Sequence, residues 1–191
     1  MADVFTVLAA DHAKVKAMLT ELEHGPAKAT GASQNQLDAR TRIVQALIIE
    51  ESRHEAVEEM YFWPAVREHH AAGSTLADEA IAQEREAKHV LAELDKLDAD
   101  DARFEALLGT FIRAARAHIE FEETQVWPGL HAVLPAETAE ELGRKIADGK
   151  KTAPNRPHPH MPPSPGVLKA AGPAVAAADK ARDAVTGRVA S

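Results

Sequence analysis

The chain has 191 residues, 45% of them hydrophobic and only 4% aromatic, and it contains no cysteine. That length supports one good core plus an appendage, and the missing thiols exclude disulfides, iron–sulfur clusters and thiolate zinc sites, leaving His and carboxylates as metal ligands. The net charge of −8 is uneven: residues 1–143 hold 13 Lys plus Arg against 27 Asp plus Glu, whereas residues 144–191 hold 9 against 3. A body of charge −14 with a tail of +6 argues against a nucleic-acid partner, because phosphate-backbone binders present a basic face.

Ala, Glu and Leu dominate, and Val and Ile do not alternate with polar residues, so an all-α fold is expected. The N-terminal MADVFTVLAADH lacks a basic region and is interrupted by Asp3 and Asp11, which fits neither a signal peptide nor an anchor. No other stretch approaches membrane-spanning length, and a soluble, cytoplasmic protein is expected.

Four segments show the 3.6-residue period of amphipathic helices. The first runs from about Asp3 to Glu23 with Phe5, Leu8, Val15, Leu19 and Leu22 on one stripe, and stops at His24-Gly25-Pro26. Ser33-x-x-Gln36 has the form of a capping box and opens a second helix that carries Ile43, Val44, Leu47 and Ile48 to about His70. The third starts near Ser74, carries Leu76, Ile81, Val90, Leu91, Leu94 and Leu97, and closes at Asp98-Ala-Asp-Asp101; the fourth carries Phe104, Leu107, Leu108, Phe111, Ile112, Ile119 and Val126. Short connections between long helices predict an up-down-up-down four-helix bundle. A shorter fifth helix is expected from Pro135 to Gly149, giving a bundle domain over residues 1–150. Residues 151–191 read as a Pro-rich extended linker, TAPNRPHPHMPPSPG, and a flexible, Ala-rich basic tail able to contact the acidic body or a partner.

One pattern occurs twice. HEAVEEMYFWP at 54–64 and HIEFEETQVWP at 118–128 both open with His, place Glu four and five residues later and end in Trp-Pro. Residues four apart share a helix face, so His54 with Glu58 and His118 with Glu122 each direct a nitrogen and an oxygen to one point. His12 lies on the apolar stripe of the first helix, and His89 lies beside Val90 and Leu94 in the third. A single His on such a stripe is ordinarily a satisfied core residue; one per helix, two with the same spacing to Glu, is the pattern of a metal site. Four imidazoles with two carboxylates able to bridge suit two first-row transition ions, iron first. Glu59 and Glu123 are turned by about 100° from their neighbours and are expected to face solvent or backbone, with the two Trp-Pro pairs serving only as scaffold.

His12, His54-x-x-x-Glu58, His89 and His118-x-x-x-Glu122, in this order across four helices, resemble the hemerythrin-like (HHE cation-binding) family over about residues 1–145. The resemblance implies a four-helix bundle holding two iron ions, bridged by Glu58 and Glu122 and an oxo or hydroxo group, with O2, hydrogen peroxide or nitric oxide as ligands. Oxygen carriers of that family have a second His on the third helix and an Asp five residues after the His of the fourth. Here Arg85 and Glu86 precede His89, and Glu122 follows His118 by four. The chain is thus similar to the histidine-poor, actinobacterial-type branch, and one imidazole fewer implies a more open iron pair, better suited to reaction in oxidative or nitrosative stress than to reversible carriage. Glu86, Glu51, Glu55 and Tyr61 are the candidates to complete it.

Three functions stay open on these residues: a di-iron enzyme of peroxidase or catalase-like activity, an oxygen or iron sensor or iron-binding module without turnover, and a structural bundle without metal. A ferritin-like oxidase shares Glu51-x-x-His54 and Glu86-x-x-His89, but the second repeat has Ala115 where that class needs Glu, and the first helix has no Glu level with His12.

Overall fold

The computed structural model describes residues 2–186; the last residues of the tail, 187–191, lie outside the described residues. The chain forms α1 (Val4–His24), α2 (Gln34–Val57), α3 (Trp63–His69), α4 (Gly73–Leu94), α5 (Phe104–Phe121), α6 (Trp127–Val133), α7 (Ala136–Gly149) and α8 (Pro165–Thr186), with no strand among the described residues. α1, α2, α4 and α5 make the expected up-down-up-down four-helix bundle. Local chemistry sets the starts: the Asp3 side chain accepts the Thr6 N–H at 2.8 Å, and the Ser33 N–H donates to Gln36 Oε1 at 2.9 Å. α4 ends at Leu94, before the expected Asp98, and Leu97 reaches the core from the connection to α5.

α2 and α5 do not stop where the duplicated motif meets its proline. Each passes through one wide π turn, Glu58–Phe62 and Glu122–Val126, into α3 and α6, where Pro64 and Pro128 are the second residues. Proline has no N–H for the carbonyl four residues back and its ring would strike it, and inserting one residue into the preceding turn removes that conflict without breaking the helix. The repeated Trp-Pro therefore produces two π turns in the same register, each beginning at the first Glu of its motif.

The core is split into two apolar clusters, and every bundle helix crosses between them at the same level. Leu8, Val57, Ala80 and Val126 belong to one cluster; Val15, Leu47, Ala87 and Ile119 belong to the other. Between these residues lie His12, His54, Glu84 and Glu122. The bundle therefore has a polar waist, flanked on both sides by dry packing.

α7 lies along α1, close enough that a Cβ on Gly143 would come within 2.6 Å of the Ala2 carbonyl oxygen, so only glycine permits this approach. The C-terminal segment differs from the extended, flexible appendage expected from its composition. It folds back, and α8 packs on the first π turn, burying Leu168, Ala176, Asp179 and Asp183. Arg156 of the linker is the fastener: its guanidinium donates to Asp183 of α8 (Nε to Oδ1 at 2.9 Å) and, at 2.6 Å, to Asp95 beyond α4. Asn155 Nδ2 donates to Asp183 at 2.6 Å and the Asn155 N–H to Asp179 at 3.2 Å. The tail is held in large part by its acids on a basic linker residue, with Lys169 of α8 over the Tyr61 ring of the body at 4.8 Å. Arg156→Ala is expected to weaken α8 docking by about 3 kcal/mol, the scale of losing one member of a buried ion pair; hydrogen exchange should rise along residues 165–186 and stay unchanged in α1, α2, α4 and α5.

Candidate metal centre

Six side chains meet at the waist. The ligand-capable atoms of His12, His54, Glu58 and Glu122 all lie within 4.8 Å of one another, and so do those of Glu58, Glu84, His118 and Glu122. The two groups share Glu58 and Glu122, the residues that open the π turns. His12 Nε2 is 3.3 Å from Glu122 Oε2, His54 Nε2 is 3.2 Å from Glu58 Oε2, and His118 Nε2 is 2.9 Å from Glu122 Oε1. These approaches are those of ion pairs and lack hydrogen-bond geometry. Eight polar atoms here are buried without a hydrogen-bond partner: Nε2 of His12, His54 and His118, both oxygens of Glu58 and of Glu122, and Glu84 Oε2. Natively folded interiors rarely leave so many acceptors orphaned, and a concentration of them at one point is what a cation-binding site consists of.

The outer nitrogen of each imidazole is occupied. His12 Nδ1 lies 3.0 Å from Glu123 Oε1, and Lys16 holds both oxygens of Glu123 at 2.7 Å. His54 Nδ1 lies 3.4 Å from Asp11 Oδ2, and Asp11 is paired with Lys150 from the end of α7. His118 Nδ1 lies 2.9 Å from Gln83 Oε1. Each partner atom is an acceptor, so each Nδ1 donates and each Nε2 presents its lone pair to the waist, the tautomer a metal-binding His requires. Glu123 therefore orients His12 and does not simply face solvent. Glu59 is buried and paired with Lys88. The tryptophans are also part of the site: Trp63 Nε1 donates to Glu84 Oε1 at 2.5 Å, and Trp127 stacks on His12 at 4.9 Å between centroids.

Charge is severely unbalanced at this level. Glu58, Glu84 and Glu122 are all 0% exposed. Burial, with Glu122 and Glu84 nearby, pushes Glu58 well above the usual carboxylate range; burial also raises Glu84, against the pull of Lys88. Glu122 falls, because His118 and His12 more than offset its burial, and His118 rises because Glu122 outweighs the desolvation of the imidazole. Burial lowers His54, which favours its neutral imidazole form. A metal cation relieves the same field that drives protons onto Glu58 and Glu84.

The structure brings His12, His54, Glu58, His118 and Glu122 together as the sequence indicates, and it does not bring His89. That side chain is exposed, with the His160 ring of the linker 5.6 Å away. Glu84 stands on the third bundle helix in its place. The buried face of α4 is Gly73, Ala77, Ala80, Glu84, Ala87, Leu91 and Leu94, a regular alternation of four- and three-residue steps. His89, five residues past Glu84, is turned about 140° from that face. The larger residues Leu76, Ile81 and Val90, which suggest a different stripe in the sequence, sit at its partly buried edges. An acid at the seventh-residue repeat of an alanine seam was the available signal for Glu84. Of the candidates to complete the site, Glu86 is exposed and Tyr61 packs near Gly149 and under Lys169. Glu51 and Glu55 are buried beside the centre and line a crevice with Glu84 and His118.

The sequence profile of the Hemerythrin HHE cation binding domain matches residues 3–130, two thirds of the chain and all of α1 to α5. The chain belongs to the hemerythrin HHE cation-binding family. A crystal structure of a hemerythrin HHE cation binding domain-containing protein from Mycobacterium kansasii superposes with a TM-score of 0.65 at 24% identity, covering 79% of this chain and 86% of that one. That likeness establishes the shared fold. No curated protein matches the chain in sequence. In hemerythrin HHE terms, the described residues also contain no helix long and apolar enough to cross a membrane.

Two outcomes follow for cation binding by this family member. Gln83→Ala removes the acceptor that fixes His118 and should weaken cation affinity by about 10- to 100-fold, the usual cost of losing such a support, measured by competition with a chelator. Glu84→Ala should lower the bound-metal stoichiometry, whereas His89→Ala should leave it unchanged; elemental analysis of the two purified variants distinguishes them.

Proposed function

We propose that the chain holds two iron ions, one among His12, His54, Glu58 and Glu122 and the other among Glu58, Glu84, His118 and Glu122, and that it consumes O2, hydrogen peroxide or nitric oxide. The observation that carries this reading is the sharing of Glu58 and Glu122 by both groups, since a carboxylate with two unsatisfied oxygens between two donor sets is suited to bridge. Two bound irons supply the electrons and Lewis acidity for reduction of such a small oxidant.

The protein's own contribution is positioning. Asp11, Gln83 and Glu123 hold the three imidazoles from outside, Trp63 holds Glu84, and the apolar clusters above and below the waist exclude water from the axis of the bundle. Three imidazoles and three carboxylates form a more anionic set than the four imidazoles and two carboxylates expected from the sequence. Anionic oxygen donors favour the higher oxidation state of iron, which supports chemical consumption of an oxidant over reversible carriage. One observation favours a sensor instead: α8 packs on the π turn that carries Glu58, so a change at Glu58 could be transmitted to the tail.

Protein produced in iron-replete medium should contain two irons per chain, with near-ultraviolet absorption typical of carboxylate-bridged iron. His118→Ala combined with Glu122→Ala should abolish both while helicity survives; unchanged iron content would sink the ligand assignment. An enzyme of catalase-like activity, with peroxide as both oxidant and reductant, should consume many equivalents per chain, and a sensor should react once and alter hydrogen exchange in α8.

A further inference from the structure

Beside the waist, α4 and α5 leave a crevice of about 310 Å³ that reaches inward as far as α2. Its walls include Ala114 and Phe111, its outer part carries the exposed Glu86, and deeper residues are Glu51, Glu55, Glu84 and His118. We propose that this crevice is the route by which a divalent metal ion reaches the bundle, and that Glu51 and Glu55 are transit carboxylates that hand the ion to Glu84 and His118. The proposal rests on the dinuclear reading above and extends it with a path and two residues outside the ligand set.

Glu51 is the informative residue. It is 7% exposed, lines the crevice, and has no hydrogen bond or ion pair with any described residue. Burying a carboxylate is costly, and no hydrogen bond or ion pair from the packing of α2 offsets that cost for Glu51. Glu55 Oε2 is likewise buried without a hydrogen bond, 3.6 Å from the Lys88 ammonium, and Glu84 Oε2 is 3.9 Å from the same nitrogen. Lys88 is most tightly held by Glu59, so a single cation serves three acids, Glu55, Glu59 and Glu84, and Glu51 has no ion pair with it. Oxygen donors along apolar walls focus an attractive field on a cation, and they match a hard or borderline divalent ion better than a neutral or anionic molecule. Neither Glu51 nor Glu55 belongs to a compact donor group, which suits passage and not retention. The linker side of the waist is lined by cations in contrast: its two cavities, of about 20 and 240 Å³, present Lys88 with Arg156 and Lys88 with Arg85, which oppose the approach of another cation.

The test is stopped-flow uptake of Co2+ by the full-length apoprotein, followed by the visible absorption of the bound ion, with the final stoichiometry read separately. Glu51→Gln removes the transit charge and keeps the shape; Ala114→Trp, at an exposed wall position, narrows the crevice without touching a ligand. Each variant should load on the order of tenfold more slowly at low ionic strength, with the same final stoichiometry as the parent and unchanged helicity. Parent-like rates in both variants would overturn the route while leaving the metal centre intact. A lower final stoichiometry in Glu51→Gln would make Glu51 a resident ligand and overturn the transit role. A parent that binds neither Co2+ nor iron would instead remove the dinuclear reading, and the route with it.

Discussion

The constraint on which the rest of this structure depends is the negative charge buried at the waist of the bundle. Glu58, Glu84 and Glu122 are removed from water between two apolar clusters, with Glu51, Glu55 and Glu59 close by and, among the described residues, Lys88 as the one lysine or arginine paired with any of the six. No hydrophobic packing offsets such a cluster, and the packing on either side makes it worse by lowering the local dielectric. The arrangement makes sense when a multiply charged cation is part of the folded state, because binding energy then contributes directly to stability. The split core follows from the same requirement, since each of the four helices has to interrupt its apolar stripe at one common height.

The duplicated motif is a device for reaching that height with the correct geometry. His and Glu four residues apart face one point, and the proline ten residues after the His forces a π turn that starts at the Glu. An ordinary helical turn would keep Glu58 and Glu122 in regular register with their histidines; the wider turn shifts the backbone just where both carboxylates project. The remaining members of the motif serve the same centre. Glu123 and Trp127 address His12, Glu59 engages Lys88, and Trp63 secures Glu84 on a helix that has no copy of the motif.

Support for the centre extends beyond the part of the chain that matches the family profile. Lys150, at the end of α7, pairs with Asp11 and so bears on the orientation of His54. The linker and α8 pack over Lys88, Glu59 and the first π turn, pinned by the Arg156 contacts to Asp95 and Asp183. The segment that composition marks as an appendage thus covers one side of the waist and sets Arg156 beside Lys88 there, whereas the α4–α5 crevice is lined by carboxylates.

Much of this protein could be read from its sequence. Helical periodicity, caps and short connections determine the bundle; the repeated His-Glu spacing indicates four of the six waist residues, because residues four apart on a helix share a face wherever that helix goes, and the apolar stripe of the first helix adds His12. The sixth could not be read this way. His89 looked like the third helix's contribution because of its residue type, but Glu84 is the residue that lies inward, since the seam of α4 is made of alanines that carry little hydrophobic signal. Likewise, an acidic residue next to a ligand in sequence says nothing of whether it meets solvent or an imidazole 111 positions away, as Glu123 does with His12. Spacing along one helix is local information; which residue of one helix stands level with which residue of another is set only when the helices pack.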